Sequence, residues 1–156
     1  MEIKFDINSL NFDDFKNKFT NQRNHVSKTI GEYIDRLADI KEFVNCEIFF
    51  HSKRQELLES IHTYMDLVLI LQRELSVRKN IILVGIINDA STNFNMKSKD
   101  EKIIAIDGDK NIARFQQFID LFNNQIMFLN ESKKTLEGII FNMKYRFEVQ
   151  KYMDVC

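Results

Sequence analysis

From Ile112 onward, alternate steps of three and four residues land on Ile112, Phe115, Ile119, Phe122, Ile126, Leu129, Lys133, Leu136, Ile140, Met143, Phe147 and Gln150. Only Lys133 and Gln150 break an apolar series. Steps of three and four place side chains on one stripe of a helix. Sustained over about five heptads, the pattern predicts one long helix over 109–152 that packs against other long helices.

Two further stripes precede it. Leu57, Ile61, Tyr64, Val68, Leu71, Leu75 and Ile82 predict a helix over 53–87, opened by Ser52 with Gln55 at capping-box spacing. This places a helix break at His51–Ser52. Ile30, Ile34, Leu37, Val44 and Ile48 predict a helix over 27–50 with Ser27 as its cap. Residues 1–24 read as an arm. Ile3, Phe5 and Ile7 alternate with polar neighbours, Phe12, Phe15 and Phe19 suit a short helix, and Asn21 to Asn24 reads as a loop. In the second half, Asn88 to Lys97 has no periodicity and many turn formers. Ser98 with Glu101 opens a short helix to Ile106, and Asp107-Gly108-Asp109 turns the chain. Asp107 or Asp109 then caps the final helix, an acidic group at its positive end.

These elements predict an all-α fold: an elongated, coiled-coil-like antiparallel helical hairpin over 25–156, preceded by the arm. A hairpin this rich in Phe and Ile cannot cover all of its apolar surface. Self-association is therefore expected, through Phe115, Phe122, Leu129, Lys133, Leu136 and Met143. Lys133 on that seam either fixes register or reaches out to solvent.

Composition agrees with long helices. The chain of 156 residues has no proline, no tryptophan, four glycines and fourteen phenylalanines. Without proline the strongest helix breaker is missing. Apolar residues make up 44% and charged residues 29%, as expected of one soluble domain. Met1 to Leu10 holds no long hydrophobic run, so no signal peptide is expected. The most apolar window, Leu67 to Leu71, is far shorter than the roughly 20 residues that span a bilayer, so no membrane partner is expected. Cys46 and Cys156 belong to no motif and suit a reducing cytoplasm.

No set of residues points to catalysis. Asp107, Asp109 and Asn111 imitate the start of a calcium loop, which would then need Gly at 112 and a carboxylate at 118; the chain has Ile112 and Phe118. His25, His51 and His62 are scattered, whereas zinc needs a cluster. No cysteine–histidine dyad and no Gly-rich phosphate loop is present. The expectation is a protein that is not an enzyme and uses no metal and no cofactor. Its function must reside on a surface.

The cations are the remaining chemistry. Arg73, Arg78 and Lys79 precede the 88–97 loop, Lys97, Lys99 and Lys102 follow its core, and Lys110 and Arg114 open the last helix. Lys144, Arg146 and Lys151 interleave with Phe141, Tyr145 and Tyr152 near the end. Cations along a backbone with aromatics for stacking hold single strands without sequence preference. A solvated helix face shows the same pattern, and Glu74, Asp100, Glu101 and Glu148 sit among these cations.

The segment from Ser98 to the C-terminus carries a resemblance. It reads Ser98-Lys-Asp-Glu-Lys-Ile-Ile-Ala-Ile-Asp107, then Gly-Asp-Lys-Asn-Ile112, then a long helix with Phe128-Leu129 at its middle, then Phe141-Asn-Met-Lys144 and Phe147-Glu-Val-Gln-Lys151-Tyr152. This resembles the UvsY family, the recombination mediators of T-even-type phages and cyanophages. The likeness covers a little over a third of the chain. The chain departs from the family at Ile82-Leu-Val-Gly85, where members carry a basic Tyr-Tyr-x-Gly stretch, and in its formal net charge of −1. The resemblance implies a ring-like homo-oligomer that binds single-stranded DNA in the cytoplasm of an infected host cell. It also implies a role in helping a RecA-like recombinase displace a single-strand-binding protein during DNA recombination and repair. On that reading DNA runs past Arg78, Lys79, Lys97, Lys99 and Lys102, with Lys110 and Arg114 next. A structural or assembly adaptor with a coiled-coil surface is the alternative, since the heptad serves it equally well.

Overall fold

The computed structural model describes residues 7–37, 42–88, 103–104 and 106–153. After a 3-10 turn over Ile7–Ser9 come three α-helices: α1 over Phe12–Arg36, α2 over Phe43–Asn88 and α3 over Lys110–Met153. Among the described residues there is no strand, so the fold is all-α. The helices hold 25, 46 and 44 residues. At about 1.5 Å per residue, α2 and α3 are each close to 70 Å long and α1 is roughly half that.

The first helix differs from the sequence expectation. It starts at Phe12 and not near 27, so a division at 24/25 falls inside it. Asn11 is its cap, accepting the Asp13 N–H at 3.1 Å, and Asp13 and Asp14 sit at its positive end. The polar run Asn21–Asn24 stays helical because Asn inside a helix costs only about 0.7 kcal/mol relative to Ala. Tertiary burial outweighs this. Phe12, Phe15, Phe19, Val26, Ile30 and Tyr33 form one stripe through the run, and all are buried or half-buried. The helix ends at Arg36, where the Leu37 N–H bonds the Tyr33 carbonyl at 3.1 Å.

The second helix is likewise one element where two were expected. It runs from Phe43 through His51–Ser52 without a break. The stripe Cys46, Phe50, Lys53, Leu57, Ile61, Tyr64, Val68, Leu71 and Leu75 is buried and keeps helical spacing across the expected break. No proline or glycine stands there to stop it. Gln55 reaches forward to Glu59 at 3.0 Å, and not back to cap a new helix. Lys53 is 8% exposed, and its ammonium donates to both carboxylate oxygens of Glu56 at 2.8 Å. The β-branched run near Ile81 is helical too, so context overrides its strand preference. Residues 103, 104, 106 and 107 are helical, closed by the Gly108 N–H on the Ile104 carbonyl at 2.9 Å. The expected extended arm at Ile3 and Phe5, and the stretch from Asp89 to Lys102, lie outside the described residues.

Cross-helix contacts fix the topology. Lys144 pairs with Glu47 at 3.2 Å, Arg54 with Glu137 at 2.7 Å and Arg78 with Asp109 at 3.3 Å, so α2 and α3 are antiparallel. Phe12 meets Phe118, Phe19 meets Phe122 and Arg23 meets Gln125, so α1 runs parallel to α3. It runs antiparallel to α2, with Phe19 on Tyr64 and Tyr33 on Phe50. The hairpin of long helices is present, but α1 lies along its middle and makes it a three-helix bundle.

This third helix changes the role of the heptad. Phe115, Phe122, Leu129, Leu136 and Met143 are buried in the chain's own core. Their burial removes them as a free surface for a second copy. Lys133 is half-buried beside Ser132, which is buried in its stead, and Gln125 is buried where the heptad offered Ile126. Phe118, Gln125 and Ser132, each one residue before a heptad position, are buried as well and widen the inward stripe, and α1 packs there through Phe12 on Phe118 and Arg23 on Gln125.

Candidate functional site

The end of the bundle where α2 finishes and α3 starts is built around Asp109. Its carboxylate accepts the N–H groups of Asn111 at 2.8 Å and Ile112 at 3.1 Å, which makes Asp109 the cap of α3. Its second oxygen meets the Arg78 guanidinium at 3.3 Å. Burial alone pushes the Asp109 carboxyl up. The two backbone N–H groups and Arg78 outweigh it, and the net shift is downward from the ordinary carboxylate value of 3.8. A depressed folded value stabilises the fold above about pH 4, and that stability disappears as pH falls through the folded value. Asp109→Ala is accordingly expected to cost about 0.5–2 kcal/mol at pH 7, and much less at pH 2, in urea unfolding at the two pH values. An equal loss at both would remove the charged cap as its cause.

Arg114 is placed differently from the surface role expected of it. Its Nη2 donates to the Leu10 carbonyl at 2.7 Å, and its guanidinium lies 5.9 Å from the centroid of the Phe118 ring. It is a strut that ties the N-terminal turn to α3. The Nε atoms of Arg78 and Arg114 are both buried, with no hydrogen-bond partner among the described residues. Lys79 is half-buried and Lys110 is exposed, and neither forms an ion pair among the described residues. Lys97, Lys99 and Lys102 lie outside the described residues. The structure thus brings Arg78, Lys79, Lys110 and Arg114 to one end of the bundle, with the two arginines turned to internal partners.

Sequence reasoning missed a polar node at mid-bundle. Gln125 on α3 is fully buried. Its Oε1 accepts from Arg23 Nε at 2.6 Å, and its Nε2 donates to Gln22 Oε1 at 2.8 Å. The same Gln22 oxygen accepts the Tyr64 hydroxyl at 3.0 Å, and Gln22 Nε2 reaches Ser60 Oγ at 3.5 Å. Arg23 also stands 5.4 Å from the centroid of the Phe128 ring. Burial pushes the Tyr64 hydroxyl above its ordinary value, and the bond to Gln22 offsets part of that. The signal was present in the sequence: Gln22 and Gln125 each sit in a helical stripe between phenylalanines and aliphatic residues, where a polar side chain needs a buried partner.

Among the described residues no three His, Cys, Asp or Glu side chains gather as a metal site. No described helix is long and apolar enough to cross a membrane. Among the described residues, fold and surface define an all-α bundle in which three long helices carry surface cations, exposed apolar faces and a buried polar node. Comparison of the chain with protein families, with curated proteins and with solved structures returns no match.

Proposed function

We propose that this chain is a non-enzymatic, self-associating recombination mediator. It binds single-stranded DNA and helps load a RecA-like recombinase in place of a single-strand-binding protein. One observation carries the reading. The Arg78–Asp109 ion pair ties α2 to the start of α3, so Lys79 and Lys110 share one end of the bundle. In sequence, Lys97, Lys99 and Lys102 join the same two helices. Local charge, not the near-zero total, sets attraction for phosphates. Repeating a weak site around an oligomer raises avidity without new contacts. The likeness of Ser98–Tyr152 to the mediator family supports the same reading.

Self-association would use the outer face of α2. Ile70, Val77, Ile81 and Val84 are 45–58% exposed and share one side of the helix, opposite Leu57, Val68 and Leu75. This aliphatic stripe also favours the second reading, a structural or assembly adaptor that needs only an apolar seam.

A salt titration of binding to a long single strand tests the choice. Binding is expected to be sequence-tolerant and to fall steeply with salt. Changing Lys97 and Lys99 together to Ala should weaken it and flatten the log–log slope by about 1.4, at about 0.7 per phosphate contact. An oligomer that binds no single strand at low salt removes the mediator reading and leaves the adaptor.

A further inference from the structure

The outer face of α2 carries a seam of its own. Leu67, Ile70, Glu74, Val77, Ile81 and Val84 follow one another in steps of three and four. The centre of this stripe lies about a third of a turn round the helix from that of the buried stripe Tyr64, Val68, Leu71 and Leu75. Ile70, Val77, Ile81 and Val84 are exposed, and Leu67 and Glu74 are half-buried. A helix with two apolar stripes is built to pack on two sides. Among the described residues the chain covers only the inner one, through α3 and α1. Glu74 is the charged residue of the outer seam and forms no ion pair among the described residues. Arg78, one turn further on, has its side chain 40% exposed and gives Asp109 a bond from Nη2. A guanidinium has five N–H donors, so others remain.

We infer that this seam is covered by the same seam of a second copy, paired antiparallel about a two-fold axis centred between Leu75 and Ser76. The inference rests on the reading of this face as the self-association surface, and it adds the direction, the register and the residue that selects them. One register sets all six positions against one another: Leu67 on Val84, Ile70 on Ile81 and Glu74 on Val77, each pair occurring twice. A shift by one heptad puts Ile81 and Val84 against Thr63 and Ser60, or Ile70 against Asn88. Charge selects the direction. In the antiparallel pair Glu74 lies level with Arg78 of the second copy, about 1.5 Å apart along the axis and on the same edge of the seam. In a parallel pair every seam residue faces its own counterpart. Glu74 then meets Glu74, and Arg73 flanks Arg78 across the seam, both like-charge contacts. A surface that answers its own charge under a two-fold axis has the chemistry of a contact between identical chains.

Sedimentation and disulfide trapping of the full chain test this. Wild type should sediment as a dimer or a multiple of one. Val77→Glu puts a charge at the seam centre and should raise the dissociation constant about a hundredfold or more, with helix content unchanged because Val77 is 46% exposed in the single chain. Trapping reads the register. With Cys156→Ser the chain keeps only the buried Cys46, and Ile70→Cys and Ile81→Cys are then introduced separately. On mild oxidation the two variants co-expressed should give a disulfide-linked dimer, and neither should alone. In the antiparallel pair a position meets its own counterpart only across about 16 Å, whereas a disulfide needs Cα atoms within about 7 Å. If each variant links to itself, the pairing is parallel and the inference is overturned. If wild type assembles but Val77→Glu assembles as well, or no thiol pair links, another face joins the copies; the inference is overturned and self-association stands. If Val77→Glu loses its helix content, the trapping pattern decides. A wild-type monomer at micromolar concentration removes self-association and this pairing together, and leaves single-strand binding to the salt titration.

Discussion

Phe122→Ala should lower the unfolding free energy by about 3–5 kcal/mol, the range for emptying a phenylalanine site in a packed core. Phe122 is 1% exposed. Its ring meets Phe19 of α1 at 5.2 Å, Phe15 of α1 at 5.4 Å and Tyr64 of α2 at 5.7 Å. One side chain therefore holds all three helices. Its neighbours are rings on stiff helices, which cannot collapse into the gap, so the cavity term adds to the lost transfer energy. Urea unfolding measures the loss. Phe141→Ala is the control, since Phe141 is 72% exposed and its removal from an isolated chain should change stability by less than about 0.5 kcal/mol. Similar losses at the two positions would contradict the packing described.

Gln125→Leu should cost about 1.5–3 kcal/mol although it adds apolar volume at a buried site. The lost partner is the reason. Arg23 is charged, and its Nε bond to Gln125 at 2.6 Å is what satisfies it at this junction. Removing one member of a buried polar group leaves the others desolvated and unpaired. Arg23→Leu made together with Gln125→Leu should recover part of the loss. A double-mutant cycle from the same unfolding curves should give a coupling of about 0.5–3 kcal/mol. Strict additivity would mean that the two side chains do not act as a unit.

The sequence showed the helical class and most of the core of α3, because a single neighbour at a time is what a heptad records. Ile112, Phe115, Phe122, Leu129, Leu136 and Met143 are all buried. It did not show that α1 supplies the third surface. The polar positions Asn21–Asn24 read as a loop, yet Gln22 and Arg23 lie there because they answer Gln125 across the bundle. Local propensity cannot express a partner so far along the chain. The break between α1 and α2 was equally hidden, since Leu37 to Lys41 contains neither glycine nor proline. At the candidate site, charge pattern grouped Arg78, Lys79, Lys110 and Arg114, which the structure places at one end of the bundle. It could not tell a cation that faces solvent, such as Lys110, from one used inside, such as Arg78 on Asp109 or Arg114 on the Leu10 carbonyl. That distinction depends on which way each helix is turned, a property of packing.

Because α1 is about half as long as its partners, the bundle has a waist and two thinner ends. Around Phe122, Leu129 and Leu57 every helix is covered on two sides, so exposing one amide there means dislodging a neighbouring helix. Among the described residues no side chain is fully buried beyond Met143 on α3 or beyond Leu75 on α2, and large apolar side chains such as Val84 and Tyr152 are exposed. Local opening free energy follows such coverage. Amide hydrogen exchange should therefore be slowest at the waist and quicken toward both ends, which fray independently of it. A ligand that orders one end would slow exchange there and leave the waist unchanged, so the same experiment reports where a strand or a second copy sits.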